Sequence, residues 1–347
     1  MKNNMTLVEF LENSGAQVRL YDIGRRISEI DRDTFVAFEK TDIPYPFPMQ
    51  RQAWFAIIQV RTSEVLEPVI WFMRLNLDEQ GKLIQATRDY LIHRFVEIAA
   101  EAGEEDADLG KALEDNPYTF KPREDRMAVF HAKFNLALGH KPSRFYEHAL
   151  EYFSGTPGWD QWNFVGYQGI ADVAARVEQA EIANLLSEAI TNLPAEPLNA
   201  LCQCLENEEL PGPLADALAK RLEQATEQQD AGLTTVLIRA LALTPDTETQ
   251  NALYQRALAS HLGNQIELLA AIAGRAWQCL LSPELAKLYL EKLAENDHGQ
   301  EAFNQCLSDL LAMPGLQQPL LDVVRNEARS DSLAKAFQSM TQGGTEA

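Results

Sequence analysis

Residues 116–172 concentrate the side chains that could do chemistry. Lys121, Arg123, Arg126, Lys133, Lys141 and Arg144 fall here beside Glu124, Asp125 and Glu147, with His131, His140, His148, Trp159 and Trp162 close by. Cations, imidazoles and aromatic rings in one segment are the ingredients of a binding site. The candidate partner- or ligand-binding residues are Lys121, Arg126, His131, Arg144, Tyr146, His148, Trp159 and Trp162. Arg144 and His148 are four apart, so a helix there puts them on one face with Tyr146 and Glu147 beside them. Such a set either grips a phosphate or carboxylate, since arginine offers a planar fork of donors, or ties two helices together internally. His131 borders the apolar stripe Met127, Phe130, Phe134 and Leu138 of a helix expected at 123–138. It is a general base only if a proton-bearing partner lies within hydrogen-bond reach, and otherwise a histidine at the core edge. Trp159 and Trp162 either pack the first helix of the helical half against the module before it or stack on a ligand.

Other chemistries find no pattern. His131 and His140 are nine apart and His140 and His148 eight, which misses the i, i+4 spacing of helical metal pairs. No glycine-rich phosphate loop and no Gly-x-Ser-x-Gly elbow occurs, since Phe153-Ser154-Gly155 lacks the first glycine. Cys202, Cys204, Cys279 and Cys306 all lie in helical patterns. Cys202 and Cys204 point about 200° apart on a helix, so reduced core thiols are expected, with no metal and no cofactor. Catalytic residues are not assigned.

The elements that must position these residues read in two styles. Up to residue 103 the periods are mixed. A short helix is expected at 6–13, stopped by Gly15, then an extended segment through Val18, Leu20 and Ile23, then a helix at 31–39. The run Pro44-Tyr45-Pro46-Phe47-Pro48 excludes helix. Residues 53–61 and 68–77 are rich in Trp, Phe, Ile and Val, as strands are, and a turn at Asp78-Glu79-Gln80-Gly81 leads to a third strand at 82–84. A helix follows at 85–102. Together these form a small α+β domain at 1–103: a short antiparallel meander with helices on one face.

An acidic connector is expected at 104–117, a helical domain at 118–340 and a flexible tail at 341–347. Within the helical domain, similar segments begin at Leu198, Leu233, Ile266 and Ala302, 33 to 36 residues apart. Each is followed by a proline (Pro211, Pro245, Pro283, Pro314) and then a second helical stretch. A helix–turn–helix unit recurring at that period reads as an α-hairpin solenoid, HEAT-like because the tetratricopeptide and ankyrin consensus residues are absent. A compact helical domain with accidental spacing is the alternative.

The wording of 116–172, with the Trp-rich strands before it, resembles an uncharacterised bacterial family of unknown function. The resemblance runs over most of the chain. It implies a bacterial cytoplasmic setting and no activity, cofactor or catalytic residue.

Charge narrows the partners. In 347 residues, 30 Lys and Arg against 51 Asp and Glu leave a net charge of −21. Of this, −16 belongs to residues 151–347. Nucleic acid and anionic membrane are repelled at long range. No apolar run approaches the length of a membrane span, and Glu9 and Glu12 interrupt the early apolar run that a secretory signal would need. The expectation is a cytoplasmic, non-catalytic adaptor or scaffold that binds a protein or peptide, with a basic segment, along a solenoid groove. An enzyme with a pocket near His131, Arg144 and His148 is the alternative. The acidic surface serves either such a partner or solubility alone.

Overall fold

A computed structural model describes residues 5–13, 15–60, 68–102 and 116–343. The expected acidic connector, up to Asp115, and residues 344–347 of the expected tail lie outside the described residues. The chain divides into two compact units, Met1–Arg123 with Ala312–Pro314, and Glu124–Leu311 with Gly315–Ala347.

The first unit opens with α1 (Leu7–Glu12), which starts where Thr6 and Glu9 cap each other reciprocally. The Glu39 carboxylate accepts the backbone N–H groups of Leu7 (2.8 Å) and Val8 (3.2 Å), satisfying two further donors of that helix start. Strands β1 (Gln17–Asp22) and β2 (Ser28–Glu29) pair antiparallel, and α2 (Arg32–Glu39) follows from its Asp31 cap. Strands β3 (Gln52–Val60) and β4 (Val69–Asn76) complete an antiparallel sheet of order β2-β1-β3-β4, and α3 spans Gln85–Ala102.

Alternation along the strands does the sorting. Leu20, Ile57 and Trp71 are paired across β1, β3 and β4, as are Phe55 and Met73. These side chains share one face and bury Leu11 of α1, Phe35 and Phe38 of α2 and Leu91 of α3.

The expected third strand at 82–84 does not form. Leu83 makes one isolated bridge to Leu77, because the Asp78 carboxylate takes the N–H groups of Gln80 and Lys82, both at 2.8 Å, and closes a side-chain-capped turn. The sheet grows instead through β1 on the opposite side of β3. The open edge of β4 is met by residues 118–120: Arg74 N–H donates to Tyr118 O (2.7 Å) and Phe120 N–H to Phe72 O (3.1 Å).

The second unit is helical. Its elements are α4 (Glu124–Ala137), α5 (Tyr146–Phe153), α6 (Tyr167–Ala174), α7 (Ala180–Ala189), α8 (Ala195–Leu205) and α9 (Gly212–Glu227). Then come α10 (Ala231–Ala240), α11 (Thr247–Ala259), α12 (Ile266–Arg275) and α13 (Pro283–Ala294). The last are α14 (Gly299–Leu311), α15 (Gln317–Arg325) and α16 (Asp331–Gly343), so 341–343 of the expected tail are helical.

The segments beginning at Leu198, Leu233, Ile266 and Ala302 lie in α8, α10, α12 and α14, and the stretches after the prolines are α9, α11, α13 and α15. Pro211 caps α9 and Pro283 opens α13, positions where a missing N–H costs nothing, while Asp230, Asp246 and Ser282 accept from N–H groups of α10, α11 and α13. Each helix packs on the one two places further on: α4, α6, α8, α10, α12, α14 and α16 follow one another in one row, and α5, α7, α9, α11, α13 and α15 in another. Among the described residues no helix is long and apolar enough to cross a membrane.

Candidate partner-binding site

The row containing α8 and α10 carries an open cavity of about 290 Å³ between the starts of these two helices. Ala195, Glu196 and Asn199 of α8 line one side, and Asp230, Gly232, Leu233 and Val236 of α10 and its cap line the other. Glu196 and Asn199 are exposed, while Leu233 and Val236 are half-buried. One Asp230 oxygen accepts the Leu233 N–H (3.0 Å), which fixes that carboxylate at the rim. The result is an apolar floor between two carboxylates. A lysine or arginine side chain suits such a slot, its methylene stem on Leu233 and Val236 and its charge between Glu196 and Asp230.

At the other end of α8 the charges reverse. Glu206, the C-cap residue of α8, is only 2 % exposed and accepts Nε and Nη2 of Arg239 and Nε of Arg275, each at 2.7 Å. Nη1 of Arg126 stands 3.9 Å from the same carboxylate. Two residues on, Lys133 Nζ reaches Glu208 (2.6 Å) and the Asn207 carbonyl (2.7 Å). Burial pushes the Glu208 carboxyl upward, with Lys133 pulling the other way. The loop after α8 thus joins α4, α10 and α12. A carboxylate at a helix C-terminus faces unpaired carbonyls and is unfavourable alone, so these cations hold it there.

The candidate residues read from the sequence separate into three groups. Lys121 is exposed and belongs to the first unit. Arg126 joins the Glu206 cluster. The others surround α5 and α6 without converging on one point. Because α5 starts at Tyr146, Arg144 lies ahead of the helix and shares no helical face with His148; it stacks instead over Phe145, 4.8 Å from the ring centre. His148 is exposed. Trp159 is seated on its own turn: Tyr152 donates to its carbonyl (3.0 Å), and the two rings meet edge to face at 6.0 Å. Trp162 is half-buried in the 3-10 turn Trp159–Phe164.

The polar network between helices is built from other residues. Asp172 of α6, fully buried, accepts the Ser143 N–H (3.0 Å) and lies 3.9 Å from Arg176, whose guanidinium sits 5.3 Å above the Tyr146 ring. Desolvation lowers the His131 pKa while the Asp172 charge works against it, and burial raises that of Tyr146 against the pull of Arg176. No hydrogen bond joins any two of His131, Arg144 and His148. The thiols of Cys202, Cys204 and Cys279 are buried and unpaired to any disulfide, and burial pushes all three away from thiolate. Among the described residues, no three His, Cys, Asp or Glu side chains gather as metal ligands.

Sequence reasoning missed Glu206, Arg239, Arg275, Asp172 and the Glu196–Asp230 slot. One signal was available: Glu206, Arg239 and Arg275 are each the charged residue that ends an apolar first helix.

The family model described as a protein of unknown function (DUF3549) matches residues 2–341, in line with the resemblance of the sequence to an uncharacterised family. No curated protein and no solved structure matches the chain.

Proposed function

The chain belongs to this family of unknown function, and from its own geometry we propose that it is a non-catalytic scaffold, cytoplasmic, that binds a protein or peptide segment along one helix row. The helical unit reads as a HEAT-like α-hairpin solenoid. Support comes from the packing of each helix on the one two places on, the arrangement in which hairpins bury their apolar faces against their neighbours. Two bridges skip a helix within the row, Lys133 of α4 to the loop after α8 and Arg275 of α12 to Glu206. Neighbouring axes lie about 8–10 Å apart, so both bridges favour the inner side of a bend. That side is where solenoids receive extended partners.

The observation that carries the reading is the slot between α8 and α10, whose apolar floor and paired carboxylates suit a basic side chain. The net charge of −16 over residues 151–347 adds long-range attraction for such a segment. The alternative, an enzyme using His131, Arg144 and His148, lacks a converging set.

The test is chemical cross-linking and mass spectrometry on native lysate, comparing wild type with Glu196→Lys/Val236→Arg. These residues are exposed or half-buried, so circular dichroism should be unchanged. A partner cross-linked by wild type through 195–236 and lost from the variant supports the proposal. The same partners at the same positions in both would refute it.

A further inference from the structure

Gln250 of α11 is a buried amide with one end unused. It is only 6 % exposed, and its Nε2 donates to the Leu241 carbonyl and, at 3.4 Å, to the Tyr254 hydroxyl. That pairing fixes which way the amide points, because a turned amide would set its oxygen against a carbonyl oxygen. Tyr254 spends its own proton on the Ile238 carbonyl (2.7 Å) and has none to return. The Gln250 Oε1 therefore accepts no hydrogen bond among the described residues. A buried acceptor left without a partner costs free energy, so it calls for a donor from outside the chain.

The same side chain lines a cavity of about 40 Å³ between α9 and α11. Asp216 and Ala219 of α9 line it from one helix, and Asp246, Gln250 and Leu253 from the other helix and its cap. Asp216 is exposed. One Asp246 oxygen accepts the Thr249 N–H (3.0 Å), and the hydrogen bonds from Thr249 hold this carboxyl below its ordinary range, so it is charged at neutral pH. Among the described residues no Lys, Arg or His lines the cavity. The lining is apolar carbon with oxygen acceptors. The starts of α9 and α11 bring about half a positive charge each, which two carboxylates outweigh.

We infer that this cavity binds the N–H-bearing head of a small cation, a guanidinium or primary ammonium group, which donates to Gln250 Oε1 while its charge is met by Asp216 and Asp246. Charge-assisted bonds to the carboxylates hold the head at the rim, and the amide oxygen selects for an N–H over a methylated cation. The volume admits a head group of a few atoms and excludes a drug-sized molecule. The cavity belongs to the other helix row from the slot between α8 and α10 and stands independently of the scaffold reading.

The test titrates the full chain at constant ionic strength with methylguanidinium, with methylammonium and with a Gly-Arg-Gly peptide blocked at both ends. Binding is followed by calorimetry and through the Gln250 side-chain amide signals in NMR. Tetramethylammonium, which has the charge but no N–H, controls for general attraction to a chain of net charge −21. The expected result is saturable binding of at least one N–H probe that moves the Gln250 signals, with none by the control. A peptide that binds tighter than the bare ions assigns the head group to a protein side chain, and equal or weaker peptide binding assigns it to a free small molecule. Asp216→Asn/Asp246→Asn keeps side-chain size and the helix cap, since asparagine caps as well as aspartate, and should weaken binding about tenfold or more, the worth of one charge-assisted bond. Ala219→Met, at a half-buried position, should fill the cavity and abolish binding. No saturable binding of any N–H probe, equal binding of the control, or an affinity unchanged in either variant would overturn the inference.

Discussion

Replacing Glu206 by glutamine tests the physical account of the helical unit most directly. The side chain keeps its size, but one oxygen becomes an amide donor facing arginine donors. Three charge-assisted hydrogen bonds at 2.7 Å end on this carboxylate. At about 1.5–3 kcal/mol each they would sum to more than the whole effect, because such bonds share one acceptor group and are not additive. Removing one member of a buried pair costs about 3–5 kcal/mol. The arginines are 17–28 % exposed and can turn partly to water, which places the expected loss at the lower end, about 3 kcal/mol. Urea unfolding followed by far-ultraviolet circular dichroism reads it as a midpoint shift of about 1.5 M at a slope near 2 kcal/mol/M. A cycle with Arg239→Met should show a coupling of at least about 1.5 kcal/mol. A loss below about 1 kcal/mol, or additive single effects, would show that the cluster does not hold α10 and α12 to α8.

Four further substitutions probe other contacts. A Cβ on Gly169 would lie 2.4 Å from the Phe145 carbonyl oxygen and 3.1 Å from the Ala149 Cβ, so Gly169→Ala should destabilise by about 2–3 kcal/mol as α5 and α6 are forced apart. At Gly274 of α12 nothing lies within 4 Å, so alanine there should gain up to about 1 kcal/mol, and equal urea midpoints for the two variants would be inconsistent with this packing. Burial raises the Glu39 carboxyl from 4.5 to about 7 against the pull of the Leu7 and Val8 N–H groups and Arg88. The folded state therefore holds this proton more tightly than the unfolded one. The stabilisation is complete below pH 4.5 and is lost as pH rises to about 7, by roughly 3 kcal/mol. Glu39→Gln should flatten that portion of the stability curve, and parallel wild-type and variant curves would count against it. Tyr45, fully buried, donates to Asp22 at 2.9 Å, so Tyr45→Phe should cost about 2 kcal/mol in the same denaturation assay, whereas an unchanged midpoint would mean Asp22 is satisfied without it.

Much of the architecture was legible in the sequence because its causes are local. The helix expected at 85–102 is α3 with those ends, and the helix expected at 31–39 is α2 preceded by its Asp31 cap. The prolines at 211 and 283 stand at helix starts because a missing N–H is tolerated only there. Where local chemistry was misjudged, the cause is equally specific. The strand expected at 82–84 yields to a turn in which Asp78 consumes the N–H groups of Gln80 and Lys82. The shared helix face expected for Arg144 and His148 does not form because the helix begins two residues after Arg144.

By itself, then, the sequence determined most of the helices, the strands near 53–61 and 68–77, the breaks at the prolines and the net negative charge. The elements and breaks depend on hydrophobic period and on the backbone preferences of neighbouring residues. Only the tertiary structure decided which charges meet. Glu206 finds Arg239 33 residues on and Arg275 69 residues on, and the slot joins Glu196 to Asp230. A salt bridge or a cavity depends on which helix packs beside which and how far each is turned. That is settled by burial across the whole core rather than by any window of the chain.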